Sequence, residues 1–76
     1  MRIERLVTMA NDIATYFLVE PDHASAVASV RDHLKRFWDP VMRRQIKAHL
    51  AQGGEGLIPL AREAIADLDV PPPDRV

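Results

Sequence analysis

Three histidines and a few carboxylates are the side chains of this chain that could catalyse a reaction or bind a metal. His23, His33 and His49 are ten or more residues apart, whereas two ligands on one helix face lie three or four residues apart. The chain has no cysteine, which excludes thiolate ligands and disulfides. Glu63 and Asp67 fit a solvated helix face better than a general acid–base pair. The sequence therefore predicts no catalytic, cofactor-binding or metal-ligating residue.

Residues 37–44 are better suited to binding another protein. They include Phe37, Trp38, Met42 and Arg43, and aromatic residues, methionine and arginine are enriched at protein interfaces. Two alternatives stay open at this point. The two aromatic side chains either anchor a partner or fill the core of this chain.

Positive charge is concentrated around the same stretch. Residues 31–49 contain six basic and two acidic residues, a net charge of +4, whereas the whole chain has a net charge of −1. Two helices with cations on the second also suggest a helix-turn-helix DNA-binding regulator. Against this alternative, the overall charge gives a weak attraction to phosphates, and Asp39 begins the helix that would enter the groove. No apolar run is long enough to span a membrane. We expect a protein partner, without nucleic acid or membrane.

Helices must position these residues, and apolar side chains recur at helical spacing in four segments. Asp22 and Asp39 are the predicted N-caps of the second and third helices. Ile58 precedes the fourth helix and has no side-chain oxygen for a cap. Asn11 lies inside the first helix, where it is either solvated, bonded locally, or in contact with a partner. The predicted helices cover residues 3–18, 23–37, 40–52 and 59–68.

These segments predict an all-α fold, a small bundle of four short helices with an extended Pro-rich C-terminal tail. We expect one helical domain over residues 1–69 and the tail over residues 70–76. The first three helices should form the core, with the fourth packed across them. If the second and third helices form a hairpin about Trp38, the cations of residues 31–49 share one end of the molecule. A chain of 76 residues buries a small core, so the isolated chain could form a homodimer that covers its apolar face.

Three blocks of sequence carry a resemblance to one protein family. They are residues 6–14 (LVTMANDIA), residues 33–43 (HLKRFWDPVMR) and residues 56–60 (GLIPL). With them, nearly the whole chain resembles the delta subunit of the soluble NAD-dependent, molybdenum-containing formate dehydrogenases. The chain departs from the family pattern at Val41, where arginine is usual, and at Ile58, where a polar residue is common.

The resemblance implies an accessory, non-catalytic subunit of a cytoplasmic complex that oxidises formate and reduces NAD. It also implies that the molybdenum cofactor, iron–sulfur clusters, FMN and NAD belong to other subunits. The partner would be the catalytic alpha subunit, and through it the other subunits. An alternative is a transient chaperone that inserts the cofactor into the immature enzyme and then leaves.

The partner-binding residues that we predict surround the turn between the second and third helices. Trp38 would be the apolar anchor, Asp39 and Pro40 would fix the turn, and the two arginines would meet carboxylates of the partner. The full set is Met9, Asn11, Phe37, Trp38, Asp39, Pro40, Met42, Arg43 and Arg44.

Overall fold

The computed structural model describes residues 2–69, which form four α-helices and confirm the all-α prediction. The predicted bounds of the second helix are correct at both ends, whereas the first and fourth helices end slightly earlier than predicted. The predicted tail, residues 70–76, lies outside the described residues. The helices are α1 (Ile3–Phe17), α2 (His23–Phe37), α3 (Pro40–Ala51) and α4 (Pro59–Ala66).

Side-chain caps begin two of these helices, as predicted. The carboxylate of Asp22 accepts a hydrogen bond from the backbone N–H of Ser25 at 3.0 Å. Asp39 accepts one from the backbone N–H of Met42 at 2.9 Å. Each bond satisfies one of the backbone donors that a helix N-terminus leaves without an intrahelical partner. Ile58 supplies no side-chain cap to α4, which also agrees with the sequence.

The hairpin of α2 and α3, which the sequence left as a possibility, does not form. The two helices hardly touch each other, and each packs instead against α1 and α4. The backbone at the junction gives the reason: Trp38 and Asp39 are both extended, with ψ angles of 135° and 167°. Two consecutive extended residues direct α3 away from α2, so that the helices do not run back along each other.

The fourth helix packs across the other three, as predicted, and it also supplies buried side chains to the core, which the prediction assigned to the first three helices. It contacts α1, α2 and α3, most extensively α2. Ala61 and Ala64 are fully buried, and their small side chains allow neighbouring helices to come close to the α4 backbone. The buried core of the described residues consists of Leu6, Ala10, Ala14, Ala26, Val30, Leu34, Trp38, Ile46, Leu57, Leu60, Ala61, Ala64, Ile65 and Leu68.

The loop between α3 and α4 begins with a glycine turn. The N–H of Gly54 bonds the carbonyl of His49, and the N–H of Gly53 bonds the carbonyl of Leu50. This pair of bonds is the Schellman motif that commonly ends a helix. Gly54 has a φ of +64°, a left-handed conformation that glycine adopts without steric cost. The turn therefore depends on glycine.

Side chains from three helices bind the backbone of this loop. Arg62 donates to the carbonyls of Gly54 and Gly53 at 2.7 and 2.8 Å. His49 Nε2 donates to the carbonyl of Glu55 at 2.8 Å. Asn11 of α1 bonds the loop at two more points, described below. Because backbone polar groups that are withdrawn from water need partners, these contacts allow an irregular segment to lie against the bundle.

Asn11 joins α1 to the start of α4. Its Nδ2 donates to the carbonyl of Gly56 at 2.8 Å, and its Oδ1 accepts from the N–H of Ile58 at 2.9 Å. Asn11 is thus neither solvated nor bonded within its own helix, which were the two structural alternatives from the sequence. The side-chain amide supplies one donor and one acceptor to the loop, as a neighbouring backbone segment would. It thereby fixes the residue at which α4 begins.

The far end of α4 is capped by a cation from α3. Lys47 Nζ donates to the carbonyls of Ile65, Ala66 and Leu68 at 2.9, 2.8 and 2.7 Å. The carbonyls of Ile65 and Ala66 lie at the C-terminus of α4 and that of Leu68 lies just beyond it, and the helix dipole favours positive charge at this end. Lys47 therefore fastens α3 to α4.

One ion pair and one histidine–carboxylate hydrogen bond join α2 to the α4 segment. Arg31 Nη1 lies 2.6 Å from a carboxylate oxygen of Asp67, and His23 Nε2 lies 2.8 Å from one of Glu63. The hydrogen bond that Arg31 donates to Asp67, and to a lesser extent the one that it donates to Asp32, raises the pKa of Arg31 above its ordinary value. Both contacts are partly exposed, so each contributes modestly to stability.

We predict that Asn11→Ala lowers the free energy of unfolding by about 2 kcal/mol, because two loop groups lose their partners. Denaturant unfolding followed by circular dichroism measures this change. Thr8→Ala on the same helix is the control, because the Thr8 hydroxyl bonds only the Glu4 carbonyl within α1. An Asn11→Ala variant as stable as Thr8→Ala would contradict the structural role.

We predict that Lys47→Met lowers the free energy of unfolding by about 1–3 kcal/mol, because the carbonyls of Ile65 and Ala66 at the end of α4, and that of Leu68 beyond it, lose the Lys47 donor. Lys35→Met is the matched control, since Lys35 is exposed and makes no ion pair within residues 2–69. The control should change stability by less than about 0.5 kcal/mol. Equal unfolding midpoints for the two variants would show that Lys47 does not cap α4.

Candidate protein-binding surface

The two adjacent aromatic residues of the α2–α3 junction lie in different environments. Trp38 is 4% exposed and belongs to the core, whereas Phe37 is 70% exposed. Of the two alternatives left open by the sequence, core packing therefore applies to Trp38 and surface exposure applies to Phe37. Because the Trp38 ring is covered by this chain, it offers no face to a partner in this conformation. Phe37, which is exposed, is therefore the candidate anchor in place of Trp38.

Half of the predicted cations at this end of the molecule act within the chain. Arg31 pairs with Asp67 and Asp32, and Lys47 caps α4, as described above. Arg43 Nε donates to the carbonyl of Trp38 at 3.1 Å, which supports the junction. The predicted role of Arg43 at a partner carboxylate stays a prediction.

The other cations of the block have no ion pair or side-chain hydrogen bond within residues 2–69. They flank Phe37 and Val41, which are 70% and 55% exposed. Exposed apolar side chains near cations that have no ion pair in the described residues fit a partner surface that is apolar at its centre and acidic at its rim. We call this surface the docking turn and define it as Lys35, Arg36, Phe37, Val41 and Arg44.

The remaining predicted residues of the site support the docking turn or lie away from it. Asp39 caps α3, and Pro40 occupies its first helical position, where proline loses no hydrogen bond. Met42 and Met9 are half-buried and pack against the core. Asn11 bonds the α3–α4 loop. Their contacts with a partner stay predictions.

A second exposed surface was missed by the sequence reasoning. The rings of Tyr16 and Phe17 have centroids 5.0 Å apart, those of Phe17 and His33 are 6.5 Å apart, and those of His33 and Phe37 are 4.7 Å apart. We call these four residues the aromatic strip. It passes from α1, which carries Tyr16 and Phe17, to α2, which carries His33 and Phe37. The four-residue spacing of His33 and Phe37 was a signal for their contact, but nothing local indicated that Phe17 would join them.

Shallow hollows accompany the aromatic strip. One of about 470 Å³ is lined by Ile13, Tyr16, Phe17 and His33, with Asp12 at its α1 side. A neighbouring one of about 270 Å³ shares Phe17 and His33, and Arg36 and Asp32 stand at its α2 side. The strip thus lies between an acidic side chain on one helix and a basic one on the other.

Within residues 2–69, no cluster of three histidine or acidic side chains could hold a metal ion. In the same part of the chain, every helix is too short or too polar to cross a bilayer.

Comparison with known proteins gives one match. The family model described as NADH-dependent formate dehydrogenase delta subunit FdsD matches residues 5–65. No curated protein and no solved structure matches the chain significantly. The matched segment contains all four helices except the first two residues of α1 and the last residue of α4.

We predict that Trp38→Ala lowers the free energy of unfolding by about 3–5 kcal/mol, because it leaves a cavity in the core. Phe37→Ser, one residue earlier, should change it by less than about 0.5 kcal/mol, because the Phe37 side chain is largely exposed. Chemical denaturation of both variants tests the division between core and surface. Similar losses at the two positions would contradict it.

Proposed function

The chain belongs to the delta subunit family of NADH-dependent formate dehydrogenases, and from this membership we propose that it is a non-catalytic accessory subunit that docks on the catalytic alpha subunit. The docking turn is the contact surface. In this proposal the chain supports the assembly or the active state of the cytoplasmic enzyme and takes no part in electron transfer.

The observation that carries this proposal is the composition of the docking turn. Phe37 and Val41 are two of the five large apolar side chains that residues 2–69 leave exposed, and they are the two that lie beside the α2–α3 junction. The neighbouring cations, Lys35, Arg36 and Arg44, are not neutralised within residues 2–69. Exposed aromatic and arginine side chains are the types that contribute most to interface affinity, and the local charge favours an acidic partner rim.

The cofactors of the complex are assigned to other subunits in this proposal. Iron–sulfur clusters are ordinarily held by cysteine thiolates, and this chain has no cysteine. The molybdenum cofactor and the FMN and NAD sites would likewise belong to the larger chains. The residues of the present chain contribute contact area and positive charge.

We predict that Val41→Ser combined with Arg44→Glu reduces the capture of the alpha subunit by at least about tenfold, because an apolar contact and a charge contact are both lost. Co-expression with a tagged delta chain, followed by quantification of the co-purified alpha subunit, measures the effect. Leu18→Ser combined with Arg5→Glu is the matched control, with equivalent changes on α1 and just after its end. Wild-type capture by the docking-turn variant, with an unchanged circular dichroism spectrum, would overturn the proposed surface.

The same purification separates a permanent subunit from a transient chaperone. We expect the delta chain in the mature enzyme, in a fixed ratio to the alpha subunit and with formate-dependent NADH formation. A delta chain bound only to alpha subunit that lacks its molybdenum cofactor, and absent from the active enzyme, would instead support a role in cofactor insertion.

A further inference from the structure

We propose that the aromatic strip is a self-association surface, on which two copies of this chain pair about a two-fold axis that runs along the α1–α2 groove. In this arrangement α1 of each copy faces α2 of the other. This surface is separate from most of the docking turn, sharing Phe37 and Arg36 with it. The self-association proposal does not depend on the proposed docking to the alpha subunit.

The exposed apolar area of the strip is the first observation. Tyr16 is 74% exposed, Phe37 is 70% exposed, and Val19 beside the Tyr16 end is 85% exposed. Val19 lines a further hollow together with Tyr16 and Phe17, so the apolar surface is continuous from the α1–α2 link to the end of α2. Contiguous apolar surface of this kind marks interaction sites in soluble proteins.

The charges beside the strip identify the occupant. Asp12 stands on the α1 side and Arg36 on the α2 side, and neither has an ion pair or side-chain hydrogen bond within residues 2–69. Asp32 also lies on the α2 side, but Arg31 pairs with it at 3.2 Å. A partner surface with a single sign of charge would match one of these two sides and repel the other.

A second copy of the chain satisfies both sides at once. Rotation about an axis along the groove exchanges the two sides, so that the α1 side of one copy meets the α2 side of the other. Asp12 of each copy then faces Arg36 of the other, and the contact occurs twice by symmetry. The aromatic side chains meet between these two charge pairs and are withdrawn from water.

The size of the chain is consistent with this pairing. Seventy-six residues bury a smaller fraction of their surface than a larger domain does, and small folds often gain stability by association. The free chain would thereby protect the strip, and in particular Phe37, until another partner is present.

A charge exchange between two variants tests the proposed geometry. Sedimentation equilibrium of the isolated wild-type chain should show a dimer. Asp12→Arg and Arg36→Asp, each alone, should raise the dimer dissociation constant by at least about tenfold, because like charges then face each other. Mixing the two variants in equal amounts should restore association. In the mixed dimer the introduced arginine of one copy faces the introduced aspartate of the other, and the native Arg36 and Asp12 face each other at the second site.

Two controls complete the experiment. Lys35→Asp makes the same change of charge next to Arg36, but outside the two hollows, and should leave the dimer intact. Tyr16→Ser should weaken the dimer without any change of charge. Circular dichroism verifies that each variant is folded.

A wild-type chain that is monomeric at all concentrations would overturn the self-association proposal. A dimer that is insensitive to both Asp12→Arg and Arg36→Asp, or a mixture of the two that stays monomeric, would overturn the assigned surface and its symmetry. The double variant Val41→Ser with Arg44→Glu should still form the dimer. Failure of the docking proposal and failure of the self-association proposal are therefore distinguishable.

Discussion

The loop between α3 and α4 is the segment on which the arrangement of this small bundle depends. Its backbone is irregular, and it lies against the helices because side chains of α1, α3 and α4 supply hydrogen-bond partners for it. Asn11 fixes the residue that precedes α4, and Lys47 holds the other end of that helix. Since α4 contacts all three other helices, these polar contacts determine how the core closes.

The three sequence blocks that resemble the family contain residues that hold this architecture together. The first block contains Asn11 and the third contains its two partners, Gly56 and Ile58. The second block supplies Trp38 to the core and the Asp39 cap to α3. The blocks are therefore understandable as requirements of the fold. Phe37 also lies within the second block, but it is exposed and the fold does not require it. Phe37 is therefore the residue of this block for which a functional explanation is needed.

Features that depend on local sequence could be predicted, and those that depend on the assembled bundle could not. Helix bounds and the caps at Asp22 and Asp39 follow from apolar spacing and from side-chain chemistry within a few residues. Asn11 and Lys47 join segments that are 18 or more residues apart in the sequence. The periodicity of apolar residues does not indicate such contacts. The separation of Trp38 from Phe37 likewise depends on the extended junction, which directs α3 away from α2.

The position of α4 in the chain has a consequence for biosynthesis. Residues 57–68 supply six of the core side chains, and they leave the ribosome after the three helices that they hold together. A nascent chain that ends before them presents the inner faces of α1, α2 and α3 without their common support. Folding of this module is therefore tied to emergence of its last helix, and any surface formed at the α2–α3 junction becomes available to a larger subunit only after that step.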